Sequence, residues 1–554
     1  MTPMSAPPFT TASELVRRRV EDHSRGLVFE GAEWSWHEVT DAAAQRAAAL
    51  DELRRPGPFH IGVLLDNIPD YLFLLAAAAL DGAVLVGLNP TRRGEELASD
   101  IRHTDCQLII TDAAQRPMLD GLDLGLDDDR VLVCDSEPFR ELLERHRGAP
   151  LPTFRPDPDD LFLLIFTSGS TGRPKAVRMT QGRAARAALR VPFGADEVLY
   201  SAMPLFHGNA LAAAVFPAFA TGATLVLRRR FSASGFLPDV RASGATFFNT
   251  VGRAIAHILA TPPTDHDRDH QLRFVLGPET SDADKAEFTE RFGVPIFEGY
   301  GSSENAIVLT PAPKARPGAL GRALPGDDIA IVDPTTGEEL PTARFDDDGR
   351  LLNAGEAIGE LVGRTTRSAF EGYYDNPEAE AERTRNGWYW SGDLAYRDTD
   401  DVFYFAGRSG DWLRVDSENF AAAPVERVLG RWPRASGVAV YPVADSRTGD
   451  QVMAAIELEP GVEFDPDGFA EFLEAQADLG TKWAPRYVRI VERLPVTATD
   501  KIDKQPLRRD RWRTTDSIWH RPVREARYLP FGADDLDALR QEFIDNGRIN
   551  LWEG

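Results

Sequence analysis

Short apolar runs alternate with alanine-rich, helix-spaced segments along the first third of this chain, and that alternation limits the fold more than any other feature. Residues 41–53 read as a helix with Thr40 as its N-cap. Residues 61–65 read as a buried strand, 71–80 as a helix, 83–87 as a strand, 94–103 as a helix and 108–111 as a strand. Strands alternating with helices indicate an α/β fold with largely parallel pairing. The acidic, proline-containing stretch 122–158 has weaker periodicity, 161–166 is a strong apolar strand, and the alternation resumes from 197 to about 295. From 318 to 405, short strands and turns rich in Gly and Asp indicate a β-rich subdomain. Past residue 410 comes a fresh α/β unit, with a helix at 424–429, strands at 437–441 and 452–458, and a helix at 465–477.

A chain of 554 residues is too long for one hydrophobic core. The formal net charge of −25 repels nucleic acid and anionic lipid. A phosphate-bearing ligand must therefore be held locally, by loop amides, a few cations and a metal ion. No apolar run reaches about 18 residues, so no membrane span is expected, and residues 1–11 lack the basic-then-apolar order of a secretory signal. Cys106 and Cys134 are the only cysteines, which argues for a reducing compartment. Lysine occurs only at Lys175, Lys285, Lys314, Lys482, Lys501 and Lys504, so each is worth inspecting.

The strand at 161–166 runs directly into Thr167-Ser168-Gly169-Ser170-Thr171-Gly172-Arg173-Pro174-Lys175. Glycines let backbone amides approach phosphate oxygens. The hydroxyls add donors, and Lys175 adds a compact charge. The spacing is not that of the P-loop, since Gly169 and Gly172 are too close and no Ser or Thr follows Lys175.

Residues 166–177, FTSGSTGRPKAV, resemble the phosphate-loop signature of the ANL superfamily of adenylate-forming enzymes, with Ala176 where glycine is commoner. Further segments match that family in order. Pro204-Leu205-Phe206-His207-Gly208 resembles the segment beside the acyl pocket, and Asn249, Thr250, Val251 and Gly252 line the same pocket by family position. Gly277-Pro278-Glu279 resembles the adenine-binding segment. Glu298-Gly299-Tyr300-Gly301-Ser302-Ser303-Glu304 resembles the motif whose glutamate holds Mg²⁺ and whose hydroxyl meets the adenylate phosphate. Tyr389-Trp390-Ser391-Gly392-Asp393 resembles the ribose motif, with Asp393 accepting both hydroxyls. Arg408 is the expected second ribose or phosphate contact, and Gly410 falls at the hinge. Residues 494–502 resemble the C-terminal lysine motif, with Lys501 the candidate and Lys504 the runner-up.

The resemblance implies the ANL fold: an N-terminal domain, 1–409, of two α/β subdomains plus a β-rich subdomain, and a mobile α/β domain, 410–554. It implies catalytic roles for Lys501, Thr167, Glu304 and His207, with ATP/AMP, Mg²⁺ and coenzyme A as cofactors. The partners are a small carboxylic acid and CoA, with no nucleic acid and no integral membrane; a homodimer is the candidate assembly and the cytoplasm the expected location. The reaction that the resemblance implies is acid activation through acyl-AMP, then transfer to CoA. Residues 411–423 resemble actinobacterial fatty-acyl-CoA synthetases, which favours a large apolar acid. A linear chain and a compact polycycle both stay open. Asp500 stands where the family has Gly before the lysine, and Ser417 stands where this branch has Gly near the CoA channel. Asp500 beside Lys501 raises an alternative: a ligase that mainly completes the thioester step on a supplied adenylate, with a bulky polycyclic acid. Adenylation without CoA transfer is the other. The resemblance ends near residue 510 and leaves the tail unread.

Overall fold

The computed structural model describes residues 9–167, 175–191, 193–278, 280, 282–302, 304–312, 315–316, 318–346, 351–366, 370–408, 412–415, 418–447, 449–476, 479, 482–497, 501–522 and 527–553. The chain divides into two compact units, Met1–Val308 with Arg367–Thr384, and Leu309–Thr366 with Arg385–Gly554.

The first unit carries two sheets. The six-stranded sheet runs Val131–Val133, Cys106–Thr111, His60–Leu64, Val84–Gly87, Leu161–Thr167 and Lys175–Thr180, parallel except for its last pair. The seven-stranded sheet runs Ile296–Phe297, Phe274–Leu276, Phe247–Asn249, Val198–Ser201, Thr224–Leu227, Arg25–Phe29 and Ala32–Ser35, again parallel except for its last pair. The expected α/β alternation is therefore present. Helix Gly94–His103 falls where its periodicity put it. Helix Pro69–Asp81 is buried at every position from Tyr71 to Leu80, as an apolar-all-round helix must be. Its run Ala76–Ala79 lets neighbouring backbones approach closely.

One helix differs from expectation. It spans Trp36–Asp51, and its N-cap is Ser35, not Thr40. Ser35 Oγ accepts the Glu38 N–H while the Glu38 carboxylate accepts the Ser35 N–H, a capping box that outcompetes the later start. Thr40 instead sits inside the helix and donates its hydroxyl to the His37 carbonyl at 2.7 Å. The weakly periodic stretch 122–158 also holds structure: Val131–Val133 joins the first sheet and Glu137–Arg145 is a helix.

The second unit opens with an antiparallel sheet. Its strands lie in the order Val308–Thr310, Ala319–Ala323, Phe403–Arg408, Trp388–Arg397, Gly359–Thr365 and Asp328–Val332. Gly321 has φ +127°, and a Cβ there would lie 2.0 Å from the Thr310 carbonyl oxygen, so the ladder requires glycine. A hairpin, Trp412–Val415 with Glu418–Ala421, leads to helix Ala422–Leu429 and a five-stranded sheet. That sheet is Ala435–Ala444, Asp450–Leu458, Tyr487–Val491, Ser517–His520 and Leu529–Pro530. Its last two strands come from the tail that the resemblance left unread. Helix Ala533–Asp545 follows, and Trp512, Phe543 and Trp552 pack together, the two indoles stacked at 5.3 Å. Among the described residues no helix is long and apolar enough to cross a membrane.

Candidate active site

Strand Leu161–Thr167 ends at the predicted phosphate loop, and strand Lys175–Thr180 begins after it. Thr167 lies opposite Lys175 in the antiparallel register. Ser168, Gly169, Ser170, Thr171 and Gly172 lie outside the described residues. Lys175 is only 6% exposed. Its Nζ donates to Glu382 Oε2 at 3.3 Å and sits 6.0 Å from the Tyr373 ring centre.

Tyr373 is a residue the sequence reading missed. Its segment adds itself along the outer side of strand Lys175–Thr180: the Arg178 N–H donates to the Gly372 carbonyl at 3.2 Å, and the Tyr374 N–H donates to Ala176 at 2.8 Å. That docking aims the Tyr373 hydroxyl at Glu304, to whose Oε1 it donates at 2.7 Å. Both side chains are buried. Burial first, and the Glu304 charge second, push the Tyr373 phenol well above its ordinary range. Tyr373 therefore stays a proton donor, and the Glu304 carboxylate is oriented by it. Asn305, with φ +54°, turns the chain after Glu304, and Arg190 Nη1 donates to its Oδ1 at 2.6 Å. Burial, with Arg183 and Arg186 adding repulsion, brings Arg190 down to about 10, still a cation at neutral pH. The aromatic pair Tyr373-Tyr374 before Asp375-Asn376-Pro377 was the available signal in the sequence.

The acyl and adenine segments of the prediction meet through backbone hydrogen bonds. Thr250 N–H donates to the Leu276 carbonyl and Gly252 N–H to the Pro278 carbonyl, both at 2.9 Å. Val251 precedes helix Gly252–Leu259. The Gly277 N–H donates to the Phe297 carbonyl at 3.0 Å. Glu298 braces this corner, accepting the Thr280 N–H at 3.0 Å and pairing with Lys285 at 2.9 Å. Gly299 leads into the short strand Tyr300–Gly301, and a Cβ at Gly301 would meet nothing within 4 Å, which leaves an open face there. Ser302 receives the Asn305 N–H on its carbonyl at 2.9 Å. Glu279 and Ser303 lie outside the described residues.

Phe206 and His207 have ring centres 4.4 Å apart on the loop that follows strand Val198–Ser201. Behind them the backbone widens into a π-helical turn, Leu211–Val215, just before Pro217. Pro217 has no N–H to give the preceding turn, which accounts for the widening. Asn67, also missed, holds this loop. Its Nδ2 donates to the Met203 carbonyl at 2.9 Å and to Arg228 at 3.1 Å, while its Oδ1 accepts the Leu205 N–H at 2.9 Å. It stands just beyond the end of strand His60–Leu64, so one amide ties the carboxyl ends of the two sheets together. Open α/β sheets bind ligands at such ends. Asn67→Leu is expected to destabilise the protein by about 2–4 kcal/mol, since three backbone groups lose a buried partner. It is also expected to lower kcat/KM for the acid at least ~10-fold with little change in the KM for ATP. Thermal melts and steady-state kinetics check both.

The second unit holds the remaining predicted residues. Asp393 and Arg408 are paired across the ladder of strands Trp388–Arg397 and Phe403–Arg408. The Lys501 N–H donates to Thr497 Oγ1 at 3.2 Å, and its carbonyl accepts the Thr497 N–H at 2.7 Å, closing a tight loop. Lys504 Nζ pairs with Glu426 at 2.7 Å in the packing of helix Ala422–Leu429. Gly410, Ser417 and Asp500 lie outside the described residues.

Solved structures share this architecture. A benzoate CoA ligase from Burkholderia xenovorans aligns with TM-score 0.77 at 22% identity, covering 90% of this chain and 100% of the other. The anthranilate CoA ligase AuaEII bound to anthranoyl-AMP aligns with TM-score 0.79 at 22% identity, over 92% and 98%. The fold is that of adenylate-forming enzymes. The model of the AMP-binding enzyme family matches residues 16–374, and that of the AMP-binding enzyme C-terminal domain matches 424–501. The chain belongs to the AMP-binding enzyme family. It is 50% identical to steroid-22-oyl-CoA synthetase of Rhodococcus jostii, over 97% of this chain and 98% of that protein. It is 44% identical to the medium/long-chain-fatty-acid–CoA ligase FadD17 of Mycobacterium marinum, over 94% and 100%.

Proposed function

We propose that the acid activated by this AMP-forming acyl-CoA ligase is a bulky polycyclic carboxylic acid, joined to CoA through an acyl-adenylate. The 50% identity with steroid-22-oyl-CoA synthetase, across nearly the whole of both chains, carries this reading. The fatty-acid relative supports its coarser half, a large apolar acid.

The chain's own residues divide the work. Thr167 and the donors of residues 168–172, with Lys175, bind the phosphates. Gly277, Pro278, Glu279, Gly299, Tyr300 and Gly301 flank the adenine; Ser302 and Ser303 offer hydroxyls to the phosphate. Asp393 accepts the ribose hydroxyls beside Arg408. Phe206, His207 and residues 249–252 receive the acid. Lys501 orients its carboxylate against the α-phosphate, so that the acyl oxygen attacks phosphorus and pyrophosphate leaves. The commitment of Lys504 to Glu426 supports Lys501 in that role. Glu304 is a hard oxygen donor, and among the described residues no group of three His, Cys, Asp or Glu could cage a metal. That donor set fits a Mg²⁺ ion carried in by the phosphates. When bound, the ion offsets phosphate charge. A rotation of domain 410–554 about Gly410 then withdraws Lys501. The CoA thiolate attacks the acyl carbonyl, the new C–S bond forms, and AMP leaves.

Mass spectrometry on two parallel reactions tests this. One tube holds polycyclic and linear acids with ATP, Mg²⁺ and CoA; the other holds the matching acyl-adenylates with CoA. The expected result is thioester in both tubes, with the polycyclic acid preferred by ~10-fold or more in kcat/KM. A linear acid preferred by that factor overturns the reading. Thioester from the adenylates alone means the first half-reaction is lost, and Asp500→Gly is then the reversion to make.

A further inference from the structure

Asn249 is the last residue of strand Phe247–Asn249 and is 0% exposed. Side chains alternate along a strand. Phe248 enters the cluster with Tyr200 and Val275. Phe247, and with it Asn249, faces the other way, toward the cluster of Leu199, Leu205, Phe206 and Val251. Its neighbours in register are Ser201 on one side and Leu276 on the other. Ser201 Oγ already accepts the Met203 N–H, at the base of the Phe206–His207 loop. Both amide atoms of Asn249, Oδ1 and Nδ2, are enclosed and make no hydrogen bond among the described residues. Backbone bonds from Thr250 and Gly252 fix the strand end, so the amide cannot be relieved by a small shift of the chain.

A second enclosed polar atom lies at the same loop. The Tyr71 hydroxyl is buried and unpartnered among the described residues. A Cβ built on Gly87 would lie 3.1 Å from that oxygen and 3.1 Å from Phe206 Cα and Cβ. The absent side chain of Gly87 thus leaves the Tyr71 hydroxyl and Phe206 bordering the same gap.

An acyl pocket built for hydrocarbon alone gains nothing from these atoms, because an unsatisfied buried amide is a penalty that an apolar ligand does not relieve. A hydroxyl or keto oxygen on the acid relieves it, accepting from Asn249 Nδ2 or donating to Oδ1. We infer that Asn249 is a specificity-determining residue that hydrogen-bonds an oxygen function on the bulky acid, with the Tyr71 hydroxyl as a second anchor beside Phe206. The acid is then an oxygenated polycycle, which deepens and rests on the polycyclic reading above.

The test compares three acids on the full-length enzyme with ATP, Mg²⁺ and CoA: a polycyclic acid bearing a ring hydroxyl or ketone, its deoxy counterpart, and a linear fatty acid of equal carbon number. For the wild-type protein, kcat/KM for the oxygenated polycycle is expected to exceed that for the deoxy acid by ~10-fold or more. In Asn249→Leu, a near-isosteric change, that ratio is expected to fall to about 1 while the melting temperature does not drop. Should Asn249→Leu fail to fold, Asn249→Ser is read by the same ratio. A wild-type ratio near 1, the result of an amide satisfied by buried water, overturns the inference. So does an equal loss on both polycycles in the variant, the mark of a purely structural role. A linear acid outrunning both polycycles overturns the polycyclic reading itself, whereas polycycles preferred without regard to oxygen overturn only the role of Asn249.

Discussion

Lys501→Ala is expected to slow acyl-adenylate formation by about 10²–10³-fold, the cost of removing one preorganised cation from a developing phosphoryl charge. Transfer from a supplied acyl-adenylate to CoA is expected to stay within about threefold of the wild-type rate, because the proposed rotation would withdraw the lysine during that step. The loop that carries Lys501 is closed by hydrogen bonds between the Lys501 backbone and Thr497, which alanine leaves in place, so stability changes little. Pyrophosphate release measures the first half-reaction, and thioester yield from synthetic adenylate measures the second. Equal losses in both would remove Lys501 from the adenylation step. Lys504→Ala, by contrast, breaks the pair with Glu426, and its effect is expected on melting temperature before rate.

Glu304→Gln is expected to lower kcat for adenylation by about 10²-fold, or roughly 2.7 kcal/mol of transition-state stabilisation. The amide oxygen can still accept from the Tyr373 hydroxyl, so the fold around the site is kept. What is lost is the charge that would meet Mg²⁺. The Mg²⁺ concentration for half-maximal rate is therefore expected to rise, and a titration of rate against Mg²⁺ reads it. Tyr373→Phe isolates the other half of the pair. It keeps the carboxylate charge and removes its orientation, so a smaller loss is expected, near ~10-fold, with the Mg²⁺ dependence little changed.

Much of the first unit was legible because its signals are local. Helix Gly94–His103 has polar flanks and a strong apolar stripe, and strand Leu161–Thr167 is a solid apolar run. The helix that began at Trp36 was misread because Thr40 is an acceptable cap; only the reciprocal bond between Ser35 and Glu38 decides between them. The tail beyond residue 510 was unread for a different reason. Ser517–His520 and Leu529–Pro530 are too short to announce themselves, and they become strands by completing an edge already formed by Tyr487–Val491. The motif residues could be named from sequence spacing and family likeness. Asn67 could not, because its partner Met203 lies 136 residues away; Tyr373 offered only its aromatic pair as a signal, and its partner Glu304 lies 69 residues away.

The Tyr373–Glu304 bond also bears on the order of synthesis. At ~5–20 residues per second, Tyr373 leaves the ribosome about 3–14 s after Glu304. In that interval Leu309–Thr366, which belongs to the other compact unit, is made first. The segment that covers the edge of strand Lys175–Thr180 and orients the buried carboxylate thus arrives only after the second unit has begun. A nascent chain stopped between residues 305 and 372 holds the strands of both sheets of the first unit, but the edge of strand Lys175–Thr180 is uncovered and Glu304 lacks its Tyr373 partner. The buried Tyr373–Glu304 pair is finished by a latecomer, and the first unit cannot mature as a closed chapter of translation.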